Sequence, residues 1–343
     1  MYNILFVHPV NDLTGSCRVL ANIIEMEYSN DTVFVITRNE NGFLSQLPNV
    51  KICSVIYKIR GKKYFFSPLI SRIHAFLLVL YYGKSFDTFY INTIVPFYAA
   101  LVAKLYNKKI IYHIHEKFVS KRKSVSIYEW FFNHINSKRI FVSKYLESCY
   151  PIRKDCQSII KYNTLPKSFL LNVHEEPLSE RRLNRILMIS SLNRIKGIFN
   201  FIELARILPE YNFTLILSAS QVDISNYIKE KIPLNLDIIP AQSNIHPFLQ
   251  KTDLILNLSI PSLWIETFGM TILEAMAYHI PAIVPNVGGP QELVKDNYNG
   301  FCIDVTNVEE VAQTIKKSLN RETYTILHTN TIERFKILNN NGI

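Results

Sequence analysis

Residues 253–294 read DLILNLSIPSLWIETFGMTILEAMAYHIPAIVPNVGGPQELV, and the spacing of their apolar residues changes twice. A short apolar run over 253–258 predicts a buried strand, and a second run over 282–284 predicts another. Between the two runs, the helical spacing of apolar residues predicts a helix over 271–278. Two buried strands joined through a helix form a βαβ unit, which indicates a parallel sheet covered on both faces.

The same alternation extends over most of the chain and is interrupted once. Residues 165–184 are polar, contain two prolines and lack a clean period, so they are predicted to link two domains. We therefore predict an α/β protein with two Rossmann-like doubly wound domains facing a cleft. The predicted domains are residues 1–165 and 185–320, with a linker at 166–184 and a helical tail at 321–343 that packs back on the first domain. The other predicted strands are 3–7, 32–37, 51–56, 88–91, 109–113, 139–142, 185–189, 213–217 and 236–239.

Composition narrows the class of protein. The 343 residues are 48% hydrophobic and 19% charged, which is typical of globular domains. The first residues read as a strand and not as a secretory signal, and no apolar run is long enough to span a bilayer. The five cysteines show no C-x-x-C pairing, so we expect reduced thiols and a cytoplasmic location.

Charge is distributed unevenly between the two predicted halves. Residues 1–165 hold 22 Lys and Arg against 10 Asp and Glu, whereas residues 166–343 hold 16 against 18. A basic half is compatible with an anionic membrane surface, a phosphorylated ligand or nucleic acid, and equally with a solvated basic surface. Aromatic motifs of RNA-binding proteins are not apparent, so no nucleic-acid partner is expected.

Two carboxylates in the opening segment are candidate binding groups. Glu266 and Glu274 flank Thr-Phe-Gly and the start of the predicted helix, near Met270. A helix start offers free backbone N–H groups to a phosphate, and Gly269 lets the backbone approach a ligand closely. A carboxylate one turn into the helix can accept hydrogen bonds from ligand hydroxyls. Spacing alone equally fits ordinary acidic residues that complement a helix dipole.

This segment resembles the E-x7-E signature of retaining glycosyltransferase family 4, the group 1 glycosyltransferases. Phe-Gly, Glu-Ala-Met-Ala, Pro-Ala-Ile-Val and Val-Gly-Gly-Pro-Gln-Glu match as well, over about thirty residues. The resemblance implies the GT-B fold, in which Glu266 binds the donor sugar and Glu274 binds the ribose of the nucleotide. It also implies that the loop between them holds sugar hydroxyls and the diphosphate through the backbone of Phe268, Gly269, Met270 and Thr271.

Other parts of the chain match the family less completely. In SLNRIKG (191–197), Lys196 is placed to bind a diphosphate; the family arginine is replaced by Ser191, and Arg194 is either its substitute or a surface residue. Gly15 and Ser16 open a helix where the family often has two glycines near phosphate and acceptor, although a simple tight turn fits equally.

Two histidines end a predicted strand of the first half. His115, followed by Glu116, resembles the His-Asp pair of the family, in which the histidine lies against the donor sugar. Alternation places His113 on the same side of the strand, and we assign it a structural role.

The resemblance implies transfer of a sugar from a nucleoside-diphosphate sugar, with retention and without a metal or other cofactor. The chain contains no Asp-x-Asp, so Lys196, Arg194 and the helix start would balance the charge of the leaving diphosphate. The acceptor is expected to be a saccharide or lipid-linked saccharide of bacterial surface polysaccharide synthesis.

Residues 60–84 combine cations with an apolar run, which predicts either peripheral membrane contact or a buried helix behind a basic loop.

The sequence is also compatible with functions other than glycosyl transfer. A sugar-nucleotide epimerase or a phosphorylase can share the fold, but neither is expected to carry the Glu266–Glu274 segment. A non-catalytic relative is compatible with Ser191 and with His279, which stands where the family commonly has glycine. A basic membrane-binding protein would need no donor pocket. His279 is expected to adopt a left-handed conformation in the turn after the helix, which costs a non-glycine residue energy.

Overall fold

The computed structural model describes residues 3–12, 15–55, 67–117, 123–151 and 156–340. The chain divides into two compact units, Met1–Lys161 and Tyr162–Ile343. Each unit is built on one parallel sheet with flanking helices, so the predicted α/β fold class with two Rossmann-like sheets is confirmed.

The first unit contains a seven-stranded parallel sheet in the order β3-β2-β1-β4-β5-β6-β7. Its strands are β1 (Ile4–Val10), β2 (Val33–Arg38), β3 (Val50–Val55), β4 (Thr88–Asn92), β5 (Lys109–Ile114), β6 (Lys138–Phe141) and β7 (Ser158–Ile160). Its helices are α1 (Gly15–Glu27), α2 (Ser67–Gly83), α3 (Phe97–Leu105), α4 (Lys123–His134) and α5 (Lys144–Ser148). Cys17, Leu20 and Ile24 recur on one face of α1 and are buried in the core beside the sheet, which explains the helical spacing.

The second unit contains a six-stranded parallel sheet in the order β10-β9-β8-β11-β12-β13. Its strands are β8 (Arg185–Ser190), β9 (Asn212–Leu217), β10 (Leu236–Ile239), β11 (Leu254–Leu256), β12 (Ala282–Pro285) and β13 (Gly300–Ile303). Its helices are α6 (Lys167–Leu170), α7 (Ile198–Ile207), α8 (Gln221–Tyr227), α9 (His246–Gln250), α10 (Met270–Met276), α11 (Pro290–Leu293), α12 (Val308–Ser318) and α13 (Arg321–Asn340).

Both sheets reverse their strand order at one point. The reversal falls between β1 and β4 in the first unit and between β8 and β11 in the second. In doubly wound sheets, ligands bind beyond the carboxyl ends of the strands at this position, because the loops on its two sides diverge there. The loops after β1 and β4, and those after β8 and β11, are therefore where functional side chains are expected.

The strands differ from the predicted ones mainly at the sheet edges. β13 was not predicted, because its four residues begin with glycine and follow a polar turn. β7, only three residues long, is also absent from the predicted strands. Ile56, the last residue of one predicted strand, lies outside the described residues, as does the basic stretch 60–66.

The segment that holds the predicted membrane contact forms α2. Ser71, Ala75 and Val79 are buried, whereas Ile73 and Leu77 are each 52% exposed. The interpretation of this segment as a buried helix is therefore correct for one face only. Within the described ranges, no helix is both long and apolar enough to cross a bilayer.

Candidate functional site

The loop after β8 forms a tight turn that places Lys196. The Asn193 side chain accepts a hydrogen bond from Ile195 N and caps a 3-10 helix over Arg194–Lys196. Gly197 ends the turn with a φ of 75°, and a Cβ on it would lie 2.1 Å from Leu258 O. Only glycine fits this combination of positive φ and close backbone approach, so the turn is fixed against the loop that follows β11.

Lys196 and Glu266, both predicted to bind the donor, are brought together by this turn. Lys196 Nζ forms an ion pair with Glu266 Oε1, and the two side chains are only 17% and 22% exposed. The ammonium group also lies 4.9 Å from the centre of the Trp264 ring, a cation–π contact. A half-buried pair of a cation and a carboxylate offers one group for a phosphate and one for hydroxyls.

The loop that carries Glu266 is clamped by a second loop. Gly289 N donates to Glu266 O over 2.8 Å. A Cβ on Gly288 would lie 2.4 Å from Glu266 O, and one on Gly289 would lie 2.0 Å from Thr267 O. The Gly-Gly pair of the sequence is therefore needed for close packing of two loops, which holds the backbone next to Glu266 in place.

Helix α10 begins immediately after Gly269, as predicted. Gly269 has a φ of 102°, and its carbonyl accepts hydrogen bonds from Ile272 N at 3.0 Å and Leu273 N at 3.1 Å. Met270 and Thr271 are the first two helical residues, so their N–H groups precede the helical hydrogen-bond ladder. Phe268, 3% exposed, anchors the loop in the interior, with its ring 6.2 Å from that of Tyr162.

Glu274 is the fifth residue of α10 and is only 2% exposed. A carboxyl group is rarely buried to this degree in a purely structural position, because desolvation penalises its charged form. Buried acids in such positions are candidates for functional groups.

Arg194 differs from the Lys196–Glu266 ion pair in its exposure to solvent. The residue is exposed, and its backbone N donates to Tyr227 Oη over 3.0 Å. The structure therefore brings together Lys196, Glu266 and Trp264, whereas Arg194 is exposed to solvent.

The first unit holds a chain of buried polar groups at its own reversal point. His115 Nε2 donates to Asn92 Oδ1 at 2.7 Å, and Asn92 Nδ2 donates to His8 Nδ1 at 2.9 Å and to Ser16 O at 3.1 Å. Asn92 ends β4 and is fully buried, which makes it the centre of the chain. The predicted residues Ser16 and His115 are thus connected through a residue that the sequence analysis missed.

His113 lies beside His115, as the alternation of the strand predicts. Their ring centres are 4.2 Å apart, and His113 Nδ1 is 2.7 Å from Tyr90 Oη. This hydrogen bond in the interior agrees with the structural role assigned to His113. Gly15 opens α1, and a Cβ there would meet nothing within 4 Å, so packing does not require glycine at this position.

Burial keeps these imidazoles neutral. Desolvation lowers the pKa of His8 to about 4 and that of His113 to about 3. It also lowers the pKa of His115 well below the usual range, with a smaller contribution from the neighbouring His113 and His8. Burial raises the pKa of Glu116 to about 7. At neutral pH, His115 is a neutral hydrogen-bonding group and not a cationic acid.

Residues 172–336 match the sequence profile of the family described as glycosyl transferases group 1. The second unit is a group 1 glycosyltransferase domain. The chain is 27% identical over 190 residues to an uncharacterized glycosyltransferase of Methanocaldococcus jannaschii, covering 54% of this chain and 51% of that protein. A stretch of 54 residues is 48% identical to a sucrose synthase of Thermosynechococcus vestitus, covering 16% of this chain and 7% of that enzyme.

Similarity of fold extends over nearly all of the chain. The structure of Anabaena HepE in complex with UDP and glucose matches with a TM-score of 0.80 and 18% sequence identity, covering 99% of this chain and 98% of that one. The predicted GT-B fold is thereby confirmed. The chain matches about half or less of the length of the two curated relatives, so the likeness in sequence is concentrated in one part of each protein.

Proposed function

We propose that this protein transfers a glycosyl group from a nucleoside-diphosphate sugar to an acceptor, with the donor bound by the second unit. The observation that carries the proposal is the ion pair of Lys196 and Glu266 beside the start of α10, at the point where the strand order reverses. A cation, free backbone N–H groups and carboxylates at one place match the diphosphate and the hydroxyls of such a donor.

Each group of the site has a role in this proposal. Lys196 and the backbone of Gly269, Met270 and Thr271 bind the diphosphate, and Glu266 binds hydroxyls of the sugar. Glu274, one turn into α10, accepts hydrogen bonds from the ribose. The loop conformation fixed at Gly269 and Gly289 holds these donors before the substrate arrives, which lowers the cost of organising them during the reaction.

The transfer step concentrates negative charge on the leaving diphosphate. As the bond between the sugar and the diphosphate breaks, Lys196 and the α10 N–H groups stabilise the developing charge, with Arg194 assisting from the rim. The negative charge of Glu266 favours the oxocarbenium-like sugar. Because the single N–H of neutral His115 is donated to Asn92, this ring is assigned to accept a hydrogen bond from a substrate hydroxyl. We propose that the diphosphate takes the acceptor proton and that the new bond keeps the anomeric configuration. Cationic side chains would make a divalent metal unnecessary.

A screen of melting temperatures tests the donor site. Purified protein is heated with UDP, GDP, ADP or their sugar conjugates in the presence of EDTA, with UDP first because HepE was solved with it. A ligand that binds only the folded state raises the melting temperature by mass action. We expect one nucleotide to raise it, and expect the shift to be lost in Lys196→Met and Glu274→Gln.

Lys316→Met serves as the matched control, because Lys316 is an exposed lysine of the same unit, paired with Glu210. It should keep the full shift. If folded protein shows no shift with any nucleotide at millimolar concentration, or shifts equally in all variants, the proposed donor site is wrong. A shift that requires a divalent ion would refute metal independence alone.

We further propose that the acceptor is a lipid-linked saccharide and that the first unit contacts an anionic membrane. The outer face of α2 presents Ile73, Phe76, Leu77 and Tyr81, which are 52%, 37%, 52% and 76% exposed. Their spacing places them along one side of the helix, and Arg72 and Lys84 lie on the same helix and just beyond it. An apolar stripe flanked by cations suits the boundary between lipid headgroups and acyl chains.

Sedimentation with vesicles tests this surface. We expect the protein to bind vesicles that contain phosphatidylglycerol, to bind neutral vesicles weakly and to dissociate at high salt. Leu77→Ser combined with Tyr81→Ser should abolish the binding, whereas Ile326→Ser, at an exposed aliphatic position of the second unit, should not. Equal binding by both variants would contradict the assignment of this face.

A further inference from the structure

Three potential metal ligands meet in the second unit, away from the ion pair of Lys196 and Glu266. Glu175 lies in the segment before β8, His279 in the turn after α10, and His328 on α13. Each offers one ligand atom, and the three atoms lie within 4.8 Å of one another. His279 stands where the family commonly has glycine, and it has no role in the proposed function.

The geometry of this cluster is close to that of a coordination site. Glu175 Oε2 lies 2.5 Å from His279 Nδ1, and the rings of His279 and His328 are 5.6 Å apart and nearly perpendicular. Zinc binds imidazole nitrogen and carboxylate oxygen at about 2.0–2.2 Å, which sets neighbouring tetrahedral ligand atoms about 3.3–3.6 Å apart. The 2.5 Å between Glu175 Oε2 and His279 Nδ1 is shorter than this spacing and the 4.8 Å limit of the cluster is longer, so ion binding requires the side chains to rotate.

The backbone at His279 is held in a conformation that favours glycine. Its φ is 58°, in the left-handed region, and its N donates to Met276 O at 3.0 Å in the turn that ends α10. Glycine would close this turn without steric cost. The chain instead carries an imidazole there and directs its Nδ1 toward Glu175, which indicates a function for the side chain.

His328 supplies the buried side of the cluster. The residue is 8% exposed, and its Nδ1 is buried and has no hydrogen-bond partner in the described part of the chain. Burial lowers the pKa of its imidazole, and the charge of Arg181 lowers it further. The charge of Arg181 is itself balanced by Asp253, 3.6 Å away.

We propose that Glu175, His279 and His328 form a site for a divalent transition metal of the zinc class, with an open position for water on the exposed side of Glu175. Two imidazoles and one carboxylate are a ligand set that zinc accepts. The bound ion joins the segment before β8 and helix α13 to the turn after α10, the helix that carries Glu274. Its role is to stabilise the second unit around the donor site, and it takes no part in transfer.

Titration of the full-length protein with Co²⁺ and Zn²⁺ tests this site. After treatment with EDTA and dialysis, we expect one equivalent of Co²⁺ to give visible ligand-field bands without an intense thiolate charge-transfer band, and Zn²⁺ to displace it. We also expect Zn²⁺ to raise the melting temperature and EDTA to reverse the rise.

Substitution of the three proposed ligands shows whether the metal binds at this cluster or elsewhere on the protein. Loss of a ligand should weaken binding by at least ~10–100-fold, the range known for supporting residues of metal sites. His279→Gly is the most informative variant, because glycine suits the turn and the fold should persist; Glu175→Gln and His328→Ala should weaken binding as well. His174→Gln, at the neighbouring exposed histidine, should bind as the unaltered protein does.

Saturable binding of one equivalent that is unchanged in His279→Gly and His328→Ala would overturn the proposal, as would a thiolate charge-transfer band or no binding at millimolar Zn²⁺. Because the readouts are metal spectra and melting temperature without nucleotide, they are independent of the donor-site proposal.

Discussion

At the scale of single residues, glycine is required at two positions of the second unit for different reasons. Gly197 combines a φ of 75° with a backbone neighbour that an added Cβ would meet at 2.1 Å. Gly269 has a φ of 102°, but its nearest potential contacts are 3.5 Å away. Gly197 therefore carries both conformational strain and a steric constraint, whereas Gly269 carries only the first.

Replacement of each glycine by alanine separates the cost of the left-handed conformation from the cost of the steric clash. We expect Gly269→Ala to lower the free energy of unfolding by about 1–2 kcal/mol, the cost of a left-handed conformation. Gly197→Ala should lower it by a further ~1–3 kcal/mol, because the added methyl group overpacks the turn. Urea denaturation measures both values. Equal losses in the two variants would contradict the close approach of the turn to Leu258.

The buried histidines of the first unit predict how stability depends on pH. The pKa values of His8, His113 and His115 are lowered by burial, so each binds a proton in the unfolded chain at a higher pH than in the fold. Their contribution to stability is present above pH 6.5 and is lost as the pH falls from there towards the folded-state values, by about 1.4 kcal/mol per pH unit for each. Glu116, whose pKa is raised to about 7, acts in the opposite direction and offsets part of the loss.

His113→Gln tests this dependence. Glutamine can still accept the hydrogen bond from Tyr90 but does not titrate. Unfolding by urea at several values between pH 7 and pH 5 should show a slope of stability against pH that is smaller by about 1.4 kcal/mol per unit. Parallel slopes in variant and parent would mean that His113 titrates normally in the fold.

Candidate site residues were predicted from the sequence where many neighbouring residues match one motif. Glu266 and Glu274 were found because several other matching residues surround them. Asn92 and Trp264 were missed, because each is one polar or aromatic residue at the end of an apolar stretch, and only the folded sheet brings it to His115 or Lys196. His8 was missed for the same reason.

At the scale of elements, the strands near the reversal point of the second sheet are tied by buried charge. Asp253, the residue before β11, accepts hydrogen bonds from the backbone N atoms of Asn184 at 3.1 Å and Arg185 at 3.0 Å. Its carboxylate also faces Arg181, and the side chains of both are fully buried. Arg181 in turn donates to Thr252 O at 2.6 Å and to Tyr324 Oη on α13 at 3.4 Å. The network joins β8, β11 and α13.

Asp253→Asn should be strongly destabilising. It leaves the buried guanidinium of Arg181 without its compensating charge, an effect that typically costs about 3–5 kcal/mol. Glu210→Gln, which breaks an exposed pair with Lys316, is the control and should change stability little. Denaturation curves of both proteins give the comparison. A small effect of Asp253→Asn would show that the network contributes less than its burial suggests.

Elements were predicted well where they are long and apolar. The central strands were found within one to three residues of their ends, because strands buried on both faces read as continuous apolar runs. β13 was missed at the edge, where four residues and a glycine give no period. The two faces of α2 could not be distinguished either, because its apolar residues continue from the buried side to the exposed one.

At the scale of the whole molecule, charge and chemistry are divided between the two units. The residues proposed to bind the donor lie in the second, nearly neutral unit, whereas the excess of positive charge and the apolar stripe of α2 lie in the first. This division agrees with the proposal that one unit binds the nucleotide sugar and the other meets the acceptor at a membrane surface.

Release of nucleoside diphosphate from the donor identified by the melting-temperature screen measures whether the chain catalyses transfer. The release is measured with water as the acceptor and again with a bacterial membrane lipid extract, in the parent protein and in Glu266→Gln. We predict release that the extract accelerates, and a loss of at least ~100-fold in Glu266→Gln, of the size expected when one stabilising group is removed. That variant should still bind the nucleoside diphosphate, because Glu266 is assigned to the sugar. Binding of the donor without release in either condition, equal in parent and variant, would contradict the account and identify a non-catalytic relative.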